Sequence, residues 1–121
     1  IILPHLPSKK PGTKNTVKLV ESNGRVIYFS RSIIPYPFKK IPTYLKHLSI
    51  ISFKPSILKK FLRVGQSKLE KIESIELFRA IENNFSIGTF KSYSKSFSVD
   101  VKDDYIKAIK IMKNDKFRKK Y

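Results

Sequence analysis

The chain has 121 residues, which is enough for one domain or for part of a larger one. It contains no cysteine and only two histidines, which excludes a disulfide framework, a thiolate zinc site, a cysteine nucleophile and a histidine-rich metal site. Lysine and arginine outnumber aspartate and glutamate by 26 to 9, and no apolar run approaches the roughly 20 residues that span a membrane.

The net charge of +17 has two possible explanations. An excess of basic residues is typical of proteins that bind nucleic acids or anionic membranes. However, arginine, which suits bidentate recognition of phosphates and bases, is scarce, and the lysines are spread along the chain. Frequent Ile, Lys, Asn, Phe, Tyr and Ser indicate an AT-rich genome, and we favour that explanation. The basic residues 113–121 are predicted to be a solvated terminus.

The first half of the chain is predicted to be mainly β-structure. Prolines and a glycine in residues 1–14 predict a short apolar segment and a loop, with no long regular element. Residues 17–21 and 25–30 have strand-like patterns, and Asn23-Gly24 between them predicts a tight hairpin turn. Three prolines make residues 32–42 an extended loop, and residues 44–53 are again strand-like.

The second half is predicted to be mainly helical. Pro55 suits the first turn of a helix, and Ser67 with Glu70 fits the capping box of the next one. The apolar residues of this second helix recur at helical spacing until Asn83-Asn84. They are Leu69, Ile72, Ile75, Phe78 and Ile81. Residues 85–91 and 97–99 resemble strands, and residues 102–113 form the last predicted helix. This order predicts a mixed α/β fold.

Few residues stand out as functional by position alone. There is no glycine-rich phosphate loop and no Gly-x-Ser-x-Gly elbow. A lone His47 is more often a core or edge residue, and Glu70, Glu73 and Glu76 at three-residue intervals predict a solvated acidic face. Asp100 follows a predicted strand, where a carboxylate can hold Mg²⁺, but position alone favours a cap of the last helix.

Five segments in order change this picture: residues 15–20, 24–36, 46–50, 67–79 and 98–104. Together they resemble the C-terminal half of the 3-deoxy-manno-octulosonate cytidylyltransferases, also called CMP-Kdo synthetases. The resemblance covers residues 15–112. The segment Tyr28-Phe29-Ser30-Arg31, followed by an Ile-Pro pair, is fairly specific, and the ordered combination is more specific than any one segment.

The resemblance implies a fold and a function. The fold would be the C-terminal part of a Rossmann-like nucleotidyltransferase sheet, with flanking helices and a β-hairpin. Residues 1–121 would form the sugar-binding half of a single cytidylyltransferase domain, without the nucleotide-binding half, and we expect such a fragment to be inactive alone. The family transfers a cytidylyl group from CTP to the sugar acid Kdo, with Mg²⁺, for lipopolysaccharide biosynthesis in the cytoplasm. Its full-length members are homodimers.

The resemblance also assigns roles to four residues. Arg31 matches the arginine of the family's Phe-Ser-Arg segment in the sugar-acid pocket, where a guanidinium suits an anionic substrate. His47 matches a histidine that hydrogen-bonds the sugar, and Glu76 matches an acid that accepts from sugar hydroxyls. Asp100 matches a magnesium ligand.

Some positions depart from the family pattern. Ile51 stands where the family has a tyrosine that contacts the sugar, and Leu77 stands where it has a glutamine. Val101-Lys102 replaces a Thr-Pro pair. Sites built on hydrogen bonds discriminate strongly, so the identity of the sugar acid is open.

Two other functions therefore remain: a cytidylyltransferase for another sugar acid such as an acylneuraminate, and a small basic nucleic-acid-binding domain. Convergence of the four residues on one cleft would favour a transferase. Scattered residues beside a lysine-rich face would favour the binding domain.

Overall fold

A computed structural model describes residues 1–39, 43–93, 98–115 and 117. This part of the chain contains both strands and helices, which confirms the predicted mixed α/β class. They are β1 (Ile2–Ser8), β2 (Lys18–Ser22), β3 (Arg25–Ser30), β4 (Tyr44–His47), α1 (Pro55–Arg63), α2 (Lys68–Glu73), α3 (Phe78–Glu82), β5 (Gly88–Lys91) and α4 (Lys102–Met112). None of these helices is both long and apolar enough to cross a bilayer.

The strands close on themselves in the order β1-β4-β2-β3-β5. The β1–β5 pair is parallel, and the other pairs among the described strands are antiparallel. Lys18, the first residue of β2, lies opposite both Ser30 of β3 and Lys46 of β4. The residues next to these positions, Val17, Arg31 and His47, consequently meet at one edge of the sheet.

The predicted hairpin between β2 and β3 is confirmed. Asn23 and Gly24 both have positive φ angles, 52° and 72°, as a two-residue type I′ turn requires. The Gly24 N–H donates to Glu21 Oε2 at 2.8 Å, which closes the turn with a side-chain acceptor.

The prediction that prolines prevent a long regular element in residues 1–14 was wrong, because β1 is a seven-residue strand that contains Pro4 and Pro7. The hydrogen bonds of β1 to Ser52 and Ser92 are formed by the backbone groups of residues other than the prolines. Ile2 exchanges two bonds with Ser52, at 2.9 and 2.8 Å, and the His5 carbonyl accepts from Ser92 N at 2.8 Å. The missing proline N–H groups are therefore not needed for this pairing.

β4 and the helix that follows Ser67 end earlier than predicted. β4 ends at His47, and Ser49 has a positive φ of 56°, so the strand does not continue to residue 53. The long helix predicted after Ser67 is two helices, because Ser74 is left-handed (φ 51°, ψ 50°) and ends α2. The capping box itself is confirmed: Ser67 Oγ accepts from Glu70 N, and Glu70 Oε2 accepts from Ser67 N.

The core lies between the closed sheet and the short helix α3. Its buried residues are Leu3, Leu19, Val26, Phe29, Phe61, Ile75, Leu77, Phe78, Ala80 and Ile87. α1 contributes Phe61 to this core, whereas α4 buries no residue in the part of the chain that is described. Of the predicted strand at 97–99, Phe97 lies outside the described residues and the other two residues are not in a strand. The predicted basic terminus lies largely outside them too.

Candidate functional site

A pocket of about 400 Å³ opens at the sheet edge where β2, β3 and β4 meet. Arg31, His47, Glu76 and Asp100 all line it, although they come from four separate parts of the chain. Its other lining residues are Asn15, Val17, Ser49, Ile51, Ser74, Ile75 and Ser98. The sequence comparison with the family thus selected four residues that the fold brings together.

Arg31 follows β3 directly, and its guanidinium is held by backbone carbonyls. Nε donates to Glu73 O at 2.8 Å, Nη2 to Ser74 O at 3.1 Å and Nη1 to Lys14 O at 3.3 Å. A guanidinium has five N–H groups, so these bonds leave two for a ligand. Arg31 therefore both joins the walls of the pocket and brings a positive charge to it.

His47, the last residue of β4, is partly buried, with its ring edge-to-face against Phe29 at a centroid distance of 5.9 Å. Burial lowers the pKa of this imidazole below its usual value, against the opposing charge of Glu76, which favours a neutral ring at neutral pH. Its buried Nδ1 has no hydrogen-bond partner among the described residues. An unsatisfied buried polar atom of this kind costs about 1–3 kcal/mol.

The three glutamates predicted to form one solvated face have three different environments, because α2 ends at Glu73. Glu70 is buried and forms an ion pair with Arg79, which contradicts the prediction for this residue. Glu73 accepts bonds from Ser30 Oγ and Arg31 N. Glu76 alone of the three is exposed, and the left-handed Ser74 turns the chain so that Glu76 reaches the pocket.

Asp100 does not cap the last helix. The residue before α4 is Val101, and Asp104 Oδ2 accepts from the N–H groups of both Asp100 and Val101 at 3.3 Å. The Asp100 side chain is exposed and lines the pocket. Within the described ranges, no group of three or more His, Cys, Asp or Glu is placed to hold a metal ion. Asp100 fits as a single carboxylate ligand of Mg²⁺, which commonly keeps several waters and takes one or two carboxylates with substrate phosphates.

The two departures from the family pattern lie in different places. Ile51 lines the pocket, so the pocket wall has an apolar side chain where the family has a tyrosine. Leu77 is fully buried in the core and does not line the pocket, which corrects the expectation that it alters sugar contacts.

The polar lining residues Asn15, Ser49, Ser74 and Ser98 were not predicted as functional. All four fall in the segments that carry the family resemblance. A search of those segments for polar residues could have found them.

Comparisons with known proteins show which enzymes the chain resembles. The 3-deoxy-manno-octulosonate cytidylyltransferase of Rickettsia typhi is 39% identical over 77 residues, which is 64% of this chain and 31% of that protein. The enzyme of the same name from Leptospira interrogans serovar Lai is 41% identical over 75 residues, 61% of this chain and 30% of that protein. A solved structure of CMP:2-keto-3-deoxy-manno-octonic acid synthetase complexed with CTP superimposes with a TM-score of 0.83.

The chain resembles the CMP-Kdo synthetases in sequence and in fold. The solved synthetase is 28% identical, and the match covers 93% of this chain and 48% of that one. No family model matches the chain. The chain spans about a third of the curated synthetases it matches and about half of the solved one. The resemblance and the fold class predicted from the sequence are confirmed.

Proposed function

We propose that the chain is the sugar-acid-binding part of a CMP-Kdo synthetase, an enzyme that transfers a cytidylyl group from CTP to Kdo and releases pyrophosphate. The observation that carries this proposal is the convergence of Arg31, His47, Glu76 and Asp100 on one pocket. A basic nucleic-acid-binding module gives no reason for these four residues to meet. Residues 1–121 would then be the C-terminal half of a single cytidylyltransferase domain of a homodimeric, cytoplasmic enzyme.

Each residue has a defined task in this proposal. The two remaining N–H groups of Arg31 would bind the carboxylate of the sugar acid, since charge-assisted bonds of this kind are strong. His47 would hydrogen-bond a sugar hydroxyl, and Glu76 would accept from another. These contacts would orient the anomeric hydroxyl for attack on the α-phosphate of CTP.

Asp100 would supply one ligand to Mg²⁺ at the rim of the same pocket. The ion, when bound, neutralises phosphate charge and helps align the reacting oxygens. The nucleotide itself would be bound by the other half of the domain.

A second sugar acid is supported by one observation. Ile51 replaces a hydrogen-bonding tyrosine in the pocket wall with an apolar side chain. A pocket that lacks the tyrosine hydroxyl would discriminate less against a sugar acid that places an apolar group against Ile51. The alternative substrate is an acylneuraminate.

The test is a titration of the ¹⁵N-labelled chain with Kdo, in which NMR detects binding. A parallel titration uses N-acetylneuraminate. We expect Kdo to shift the signals of the pocket residues, and Arg31→Met to weaken binding about a hundredfold, because it removes a charge-assisted contact. Arg25→Met is the matched control, since Arg25 is an exposed arginine of β3 that does not line the pocket.

Each alternative predicts a different result. Shifts with N-acetylneuraminate alone would assign the other sugar acid. Binding of a DNA or RNA oligonucleotide with steep salt dependence, and of neither sugar acid, would replace the proposal with the nucleic-acid function. With the chain joined to a nucleotide-binding half, pyrophosphate release with CTP, Kdo and Mg²⁺ that is abolished by Asp100→Ala would extend the proposal to the complete reaction.

A further inference from the structure

Lys18 is buried at the start of β2, with 1% of its surface exposed. Its ammonium donates to Thr16 O at 2.7 Å, to Thr13 O at 3.2 Å and to the Arg31 carbonyl. An ammonium has three N–H groups, so all of them are used. Burying a charge costs free energy unless hydrogen bonds and an opposite charge compensate it. Lys18 is a buried charge of this kind, and it lies directly behind the pocket.

Glu73, the last residue of α2, contacts the end of β3 and Arg31. Its Oε2 accepts from the Arg31 N–H at 3.0 Å, and its Oε1 accepts from Ser30 Oγ at 2.7 Å. The backbone of Arg31 is thus hydrogen-bonded on both sides. The Glu73 carboxylate accepts from its N–H, and the Lys18 ammonium donates to its carbonyl. The two charges are opposite and near enough that Glu73 raises the pKa of Lys18 against the larger lowering effect of burial.

These contacts also fix the loop that forms one wall of the pocket. Lys18 holds the carbonyls of Thr13 and Thr16, and Arg31 Nη1 holds the carbonyl of Lys14 between them. Asn15 and Val17 of this segment line the pocket. Neither Lys18 nor Glu73 lines the pocket, so their influence on a ligand must pass through Arg31 and the loop.

We propose that Lys18 and Glu73 form a positioning pair that fixes the backbone of Arg31 and the loop of residues 13–17, and through them orients the Arg31 guanidinium for ligand binding. The proposal rests on the proposed function only for the identity of the ligand. Side chains that orient a binding group are themselves held by such supporting contacts, and a misplacement of about 1 Å can cost on the order of a hundredfold in function.

The experiment measures Arg31 directly, by hydrogen exchange of its Nε–H signal in the ¹⁵N-labelled chain, with assignment from Arg31→Lys. The variants are Lys18→Met and the isosteric Glu73→Gln, each checked for folding by its backbone amide spectrum. The matched controls are Lys59→Met, at an exposed position of α1, and Glu82→Gln, whose carboxylate also accepts a backbone N–H but lies away from the pocket.

We expect both variants to speed Nε–H exchange of Arg31 at least about tenfold, while the controls leave it unchanged. Kdo binding should weaken by a similar factor of about ten in the folded variants, since the guanidinium is displaced rather than removed. Unchanged Arg31 exchange in Glu73→Gln would overturn the proposal, even if Lys18→Met fails to fold. If the wild-type chain binds no Kdo, the proposed function fails, but Arg31 exchange still decides whether the pair positions this side chain.

Discussion

The two histidines of the chain lie directly opposite one another in the β1–β4 pair, yet their rings have different surroundings. His5 Nδ1 is 2.8 Å from Thr89 Oγ1, and that hydroxyl donates its proton to Leu3 O. The hydroxyl therefore accepts from His5, and the Nδ1 of His5 carries the proton. His47 Nδ1 has no such partner among the described residues. The comparison separates a buried histidine whose Nδ1 is hydrogen-bonded from one whose buried Nδ1 is unsatisfied.

This difference predicts opposite effects of the same substitution. His47→Phe keeps an aromatic ring against Phe29 and removes the unsatisfied nitrogen, so we expect the free energy of unfolding to rise by about 1 kcal/mol. His5→Phe is the matched control and should lower it by about 1 kcal/mol, because a buried hydrogen bond is lost. Urea unfolding measures both values. The same His47 variant should lose sugar-acid binding.

A fall in stability of equal size in both variants would contradict this prediction. It would mean that His47 Nδ1 is as well satisfied in solution as His5 Nδ1.

The candidate site residues could be selected from the sequence, but the residues that support them could not. Arg31, His47, Glu76 and Asp100 were selected by the family resemblance and not by position alone. Lys18 lies in an alternating strand, where a lysine is normally taken to face solvent. Its burial depends on carbonyls at positions 13, 16 and 31, which only the folded chain brings together.

At the scale of elements, local signals predicted where helices begin better than where they end. Pro55 and Ser67 mark the starts of α1 and α2 as expected. The break at Ser74 was missed, because the apolar spacing continues unchanged through it. A left-handed serine costs about 1–2 kcal/mol, and the bond from Arg31 Nη2 to its carbonyl is a long-range contact that helps offset this cost.

The cap of α2 gives a prediction at this scale. Ser67→Ala removes the acceptor for Glu70 N, so we expect the free energy of unfolding to fall by about 1 kcal/mol. Ser86→Ala, at an exposed loop position, is the control and should change it by less than about 0.5 kcal/mol. Thermal or urea unfolding can resolve this difference. Equal changes in the two variants would show that the capping box does not stabilise this short helix.

For the whole molecule, the sequence predicted the α/β class but not the closure of the sheet. Closure depends on the parallel pairing of β1 with β5, whose partners are more than eighty residues apart, for example Ile2 and Gly88. Local patterns carry no information about such pairs. The prolines of β1 even argued against a strand. The bonds to Ser52 and Ser92 are nevertheless formed, because they use the backbone groups of Ile2 and His5.

The molecule also divides its apolar residues unequally between a core and an exposed helix. Phe29 and Phe78 are fully buried and pack edge-to-face with centroids 6.1 Å apart. The predicted apolar stripe of α4 is 40–58% exposed instead. It consists of Tyr105, Ile106, Ile109 and Met112. Since α4 buries none of its residues in the described part of the chain, it adds little to the stability of this fold.

This unequal division predicts a sharp contrast between two substitutions. Phe78→Ala should lower the free energy of unfolding by about 3–5 kcal/mol, because it empties the centre of the core. Ile109→Asp should change it by less than about 0.5 kcal/mol, because the side chain is already exposed to water. Urea unfolding at two protein concentrations provides the measurement. A loss above about 2 kcal/mol in Ile109→Asp would show that α4 is packed in solution, and a dependence of that loss on concentration would identify a second copy of the chain as what covers it.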